Sequence, residues 1–183
     1  MDYRDLLYDV SDNIATITLN RPDRLNAISA GMLASFSEAF READHDRNVR
    51  VIILTGAGRG FCAGLDLKEQ GDNANSNSIN GAGLPSKFDL SNSPPIVLHQ
   101  TDKPVICALN GAAAGYGLDI ALGCDIRIAA EGAKLAAVFT KRGVCQRAAV
   151  RGCCRVCSDG RRRPRSCSRG ACCRPKSRWS WGW

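Results

Sequence analysis

Two stretches combine residue types and spacings suited to chemistry. The first is Asn110 to Ile126, NGAAAGYGLDIALGCDI. There Gly111, Ala112, Ala113, Ala114 and Gly115 join the apolar run Val105 to Leu109 to a helical pattern continued by Ile120, Leu122 and Cys124. Small residues let another molecule approach the backbone, and the first amide N–H groups of a helix have no partner inside it. With the positive end of the helix dipole, those groups suit an oxygen that gains negative charge during a reaction. Asp119 follows Gly115 by one turn, so its carboxylate is expected to point back toward that opening. A tightly packed buried helix, with Gly and Ala for close contact, explains the same residues without chemistry.

The second stretch follows the apolar strand Val51 to Leu54 and reads Gly56-Ala57-Gly58-Arg59-Gly60-Phe61-Cys62-Ala63-Gly64-Leu65-Asp66-Leu67-Lys68. Gly56 and Gly58 fit the first two glycines of a dinucleotide-binding turn, but Phe61 stands in the place of the third and no long amphipathic helix follows. An ordinary loop at the C-terminal edge of a sheet is the plainer reading, and ligand sites form at such edges. Nothing nearby gives Cys62 a base. His45 and His99 read as surface or packing histidines.

Taken together, FCAGLDLKE and the later KPVICALNGAAAGYGLDIALGCDIRIAAEGAKL resemble the crotonase superfamily, the enoyl-CoA hydratase and isomerase family. ITLNRPDRLNAIS and RNVRVIILTGAGRGF are similar to the same family, so the resemblance covers roughly residues 6–144. It implies an α/β fold, a spiral of ββα units, that binds an acyl-CoA thioester and serves lyase or isomerase chemistry in fatty acid metabolism. By resemblance the backbone N–H groups of Leu65 and Tyr116 hold the thioester oxygen as it becomes an enolate, and Asp119 matches an acid–base glutamate one methylene shorter. Arg24, Ala27, Ala63, Asp66, Leu67, Lys68 and Gly115 match positions that line the substrate and its coenzyme A. Coenzyme A then enters as part of the substrate, with no separate cofactor and no metal. Relatives of this kind assemble as trimers or hexamers.

The acid–base pattern departs from that of a hydratase. Hydration needs one group to activate water and another to manage the α-carbon proton. The second glutamate position falls at Phe139, which cannot move a proton, and the alternative isomerase position reads Cys145-Gln146-Arg147, with no acid. A catalytically defective acyl-CoA-binding fragment is therefore the alternative to an active enzyme.

The elements that must position these residues are legible in part. Leu6 to Val10 and Ile14 to Leu19 are β-rich runs around a Ser11-Asp12-Asn13 turn. From Ser29, a good N-cap, Met32, Leu33, Phe36, Ala39, Phe40 and Ala43 fall at helical spacing, and the helix stops near Asp46. Val51 to Leu54 reads as a buried parallel strand. Residues 71–95, rich in Gly, Asn, Ser and Pro, read as a loop over the site. Ile96 to Gln100 reads as a short helix, Val105 to Leu109 as a strand and Asp125 to Ala129 as another.

The formal charge of +7 is unevenly placed. Residues 145–183 hold 11 of the 25 Lys and Arg and seven of the ten Cys, but one acid, Asp159; residues 1–144 carry a net −3. That segment lacks Leu, Ile, Met and Phe and any apolar period, so it is expected to be a disordered basic tail, as a reading-frame shift would produce, after a truncated core. Cys154-x-x-Cys157 with Cys167, Cys172 and Cys173 has no His and no second CxxC for a zinc site. Arg161 to Arg163 and three Trp would bind polyanions in a salt-dependent way, without specific nucleic-acid recognition. No run approaches the ~18 apolar residues of a membrane span. A cytoplasmic protein with no membrane contact is expected.

Overall fold

The computed structural model describes residues 3–66 and 93–138, together with a backbone pairing at Cys172–Cys173. Two sheets organise the described residues. The first has the strand order β1-β2-β3-β5-β7, built from β1 (Leu6–Ser11), β2 (Ile14–Leu19), β3 (Val51–Gly56), β5 (Val105–Leu109) and β7 (Ile126–Ala129). The second has the order β4-β6-β8-β9, from β4 (Gly60–Cys62), β6 (Ala112–Ala114), β8 (Leu135–Ala136) and β9 (Cys172–Cys173). Three helices accompany them: α1 (Ala30–His45), α2 (Pro94–Gln100) and α3 (Tyr116–Gly123).

The pairing makes a spiral. β3 and β4, β5 and β6, and β7 and β8 are consecutive pairs that each give one strand to each sheet. Pairing between successive turns is parallel in both sheets, from β2 through β3, β5 and β7 and from β4 through β6 to β8. Only the ends are antiparallel: β1 on β2, and β9 on β8. The spiral of ββα units expected from the resemblance is the observed architecture.

Local sequence accounts for most boundaries. Asp12 and Asn13 take φ of 52° and 65°, the left-handed pair of a tight hairpin, which Asn and Asp tolerate. Ser29 caps α1 by accepting a hydrogen bond from the Met32 N–H at 2.9 Å. Pro94 and Pro95 open α2, where a missing N–H costs nothing, so this helix begins inside the stretch read as a loop. β4, β6 and β8 are the elements that the sequence did not announce; Gly and Ala dominate them, and they are two or three residues long.

One face of the first sheet is the core. Ala15, Ile17, Leu19, Ile52, Leu54, Val105, Cys107 and Leu109 are buried there with Met32, Phe36 and Phe40 of α1. The Phe36 and Phe40 rings stack at 4.5 Å. α1 packs on α2, and α2 on α3. The opposite face is more open, with Ile126 at 48% and Ile128 at 61% exposure on the edge strand β7. Leu67, Lys68, Phe139, the remainder of the 71–95 loop and the basic tail lie outside the described residues, the tail's β9 pair excepted.

Candidate active site

The site forms where the second sheet meets the N-terminus of α3. Beyond β4 the chain continues through Ala63 and Gly64 to Leu65, which forms an isolated parallel bridge with Ile28. Ala63 N–H donates to Leu25 O at 2.9 Å, Ile28 N–H to Gly64 O at 2.8 Å and Asp66 N–H to Ile28 O at 3.0 Å. A planar trans peptide sets its N–H opposite its carbonyl. Because the Gly64 carbonyl is held by Ile28, the Leu65 N–H is directed to the other side, away from residues 25–28.

That side holds the turn into α3. Gly64 has φ +102°, and a Cβ added to it would stand 3.0 Å from the Ala114 carbonyl oxygen and 3.5 Å from the Tyr116 nitrogen. The Gly115 carbonyl accepts the Asp119 N–H at 3.1 Å, so by the same peptide geometry the Tyr116 N–H points out of the helix N-terminus. Gly115 N–H donates to Ala136 O at 3.0 Å, pinning this turn to β8. Two main-chain segments about fifty residues apart in sequence thus come together at Gly64. The first turn of α3 also lies hard against β4: a Cβ on Gly117 would come within 2.5 Å of the Cys62 carbonyl oxygen.

The candidate acid Asp119 lies in the first turn of α3 at 0% exposure. Its carboxylate is wholly enclosed rather than open to solvent. Of the residues matched to substrate contacts, Ala63 and Arg24 are exposed, Ala27 is half-buried, and Gly115 is buried at the turn itself. Arg24 lies 3.7 Å from Asp23 across an exposed pair, which leaves its guanidinium on the surface. The buried carboxylate of Asp66 lies 3.1 Å from Nη2 of Arg21.

Asn26 and Asn110 are the positioning residues that the sequence pattern left unnoticed. The Asn26 side chain is fully buried; it accepts from Arg21 N–H at 2.9 Å and donates to Ala57 O at 2.9 Å and Gly60 O at 2.8 Å. Asn110 accepts from Gly56 N–H at 3.2 Å and donates to Gly58 O at 2.9 Å. Between them they hold the turn that leads from β3 to β4. An Asn beside a turn marked by Pro or Gly is the signal that could have found them. β4 follows that turn directly, so the strand–turn–helix of a dinucleotide site is not formed here.

Cys62, Cys107 and Cys124 are all buried and free. Burial pushes the Cys62 thiol up to about 12, and Cys62 donates to Asn26 O at 3.2 Å. A neutral, enclosed thiol is a packing group and no nucleophile. His45 and His99 are exposed, away from this turn. Among the described residues no group of three or more His, Cys, Asp or Glu could hold a metal, and no helix is long and apolar enough to cross a membrane.

A sequence model described as Enoyl-CoA hydratase/isomerase matches residues 9–155. The chain belongs to the enoyl-CoA hydratase/isomerase family. The match continues past Val144, where the sequence pattern lapses. A 1,2-epoxyphenylacetyl-CoA isomerase of Escherichia coli K12 is 42% identical over 144 residues, 76% of this chain and 52% of the relative. Among solved structures, an enoyl-CoA hydratase of Mycobacterium marinum superposes with a TM-score of 0.73 at 32% identity, covering 86% of this chain and 71% of that one. An enoyl-CoA hydratase subunit of Geobacillus kaustophilus HTA426 gives 0.79 at 29% identity, over 94% and 64%. This member of the family spans about half the length of the curated relatives it matches.

Proposed function

We propose that this chain binds an acyl-CoA thioester and stabilises its enolate through the N–H groups of Leu65 and Tyr116. The observation that carries the reading is the convergence of those two peptide planes around Gly64, each oriented by a carbonyl already engaged on its far side. A thioester oxygen between them would gain negative charge as the α proton leaves, and each such donor is typically worth about 3 kcal/mol in the transition state. The chemistry asks for main-chain donors, so it sets no requirement on the side chains of Leu65 and Tyr116.

Asp119 is the carboxylate we assign to proton transfer. With Phe139 in the second glutamate's place, one carboxylate can lift a proton from the α carbon and return it elsewhere on the same enolate, which is isomerisation. Hydration needs a further group to activate water. Coenzyme A enters within the substrate; Arg24, exposed beside Ala27, is the cation we assign to its phosphates.

Calorimetric titration with crotonyl-CoA, beside separate assays of hydration and of double-bond isomerisation, tests the reading. Binding with isomerisation is the expected result. Binding without turnover would favour the acyl-CoA-binding alternative, and no binding would overturn both.

A further inference from the structure

We infer that Arg21 and Asp66 form a positioning pair that aims the Leu65 amide, an inference that rests on the enolate-stabilising role proposed above. The side chains are 14% and 6% exposed, and Arg21 Nη2 lies 3.1 Å from Asp66 Oδ2. Arg21 Nη1 donates to Ala27 O at 2.8 Å. The Ala27 carbonyl and the Ile28 N–H share one planar peptide, so fixing the first orients the second. Ile28 N–H in turn holds Gly64 O at 2.8 Å, which sets the Gly64–Leu65 plane and the direction of the Leu65 N–H. Asp66, immediately after Leu65, is ion-paired with the same guanidinium. One rigid fork therefore holds Leu65 from both directions: through two peptide planes upstream and one carboxylate downstream.

Arg21 is itself anchored. Its N–H donates to Asn26 Oδ1 at 2.9 Å, and its Nε lies 3.7 Å from Asp5 Oδ2, which accepts the Ser29 hydroxyl at 2.7 Å. Stability alone is a weak reason for such a pair, because well-packed apolar residues often replace a buried ion pair at no loss. Directionality is a stronger one. A main-chain donor weakens steeply as its angle to the acceptor closes, and a transition-state contact depends on that angle.

The test is an infrared difference spectrum of crotonyl-CoA labelled with 13C at the thioester carbonyl, bound to the wild type, Asp66→Asn and Arg21→Lys. A downshifted carbonyl stretch reports polarisation by the donors. Wild type is expected to show the downshift; both variants are expected to bind within about threefold of wild type while losing most of the shift. Variants that fold, bind and keep the full downshift would overturn the inference. Should Asp66→Asn not fold, Arg21→Lys carries the test alone, since it keeps the charge and loses the fork. Collapse of both variants would assign the pair to stability only, overturning the positioning role. A wild type that shows no binding or no downshift overturns the enolate reading itself, and that outcome requires no variant.

Discussion

Gly64 and Tyr116 meet closely enough that a methyl group on Gly64 would stand 3.5 Å from the Tyr116 nitrogen and 3.0 Å from the Ala114 carbonyl oxygen. With φ at +102°, Gly64 also occupies backbone space that L side chains rarely enter. Both facts fall at the junction of the two proposed donors. Gly64→Ala is expected to destabilise the chain by at least about 1 kcal/mol and to lower any turnover about 100-fold by displacing one donor. Chemical denaturation beside kcat/KM measures the two effects. A variant with wild-type activity would show that the donors do not meet substrate here.

Asp119 is enclosed at the first turn of α3. Asp119→Asn keeps the shape and removes the proton-carrying function, so turnover should fall about 100-fold or more while acyl-CoA affinity stays nearly constant. Equal activity in wild type and variant would mark Asp119 as structural.

Asn26 ties three segments together from a fully buried position. Asn26→Ala removes the partner of the Arg21 N–H and of the Ala57 carbonyl, at about 1–3 kcal/mol for each group left unsatisfied, while the Gly60 carbonyl keeps the Asn110 side chain at 3.3 Å. A drop in urea midpoint corresponding to about 3 kcal/mol or more is expected. A change below about 1 kcal/mol would mean that water replaces the side chain.

Cys62 gives the stability an alkaline limit. Its folded value, raised by burial to about 12, lies above the unfolded value near 8.5. Above the unfolded value the denatured chain sheds a proton that the native chain retains, so this contribution is complete below about pH 8.5 and is lost as pH rises toward 12. The slope is about 1.4 kcal/mol per pH unit from this thiol. Cys124 shifts the same way through its hydrogen bond with Cys107 and its burial. Urea midpoints at pH 8 and 10 should separate less in Cys62→Ala than in wild type; an unchanged difference would dismiss the linkage.

Ile126 and Ile128 present apolar surface on the edge strand β7. Uncovered apolar surface forgoes about 25 cal/mol per Å² and invites association. The isolated chain is expected to bind a hydrophobic dye and to self-associate, and the double variant Ile126→Ser/Ile128→Ser should do both less. Unaltered dye fluorescence in that variant would locate the exposed surface elsewhere.

The sequence by itself determined the long periodic elements. Ser29 and the apolar spacing through Ala43 specify α1, and the unbroken apolar runs specify β3 and β5, because hydrophobic period and capping are local properties. It also determined the family, since FCAGLDLKE and NGAAAGYGLDIALGCDI keep their order. Only the tertiary structure decided that Gly60–Cys62 and Ala112–Ala114 are strands. Runs of three residues carry too little period to announce a strand, and they extend because a neighbouring turn of the spiral supplies the hydrogen bonds. It likewise decided the fate of Asp66. Its charged partner Arg21, forty-five residues earlier, reaches it only after the chain has folded back. The direction of a backbone N–H is a property of which carbonyl is already engaged, and for Leu65 that partner is Ile28, a pairing that only the folded chain creates.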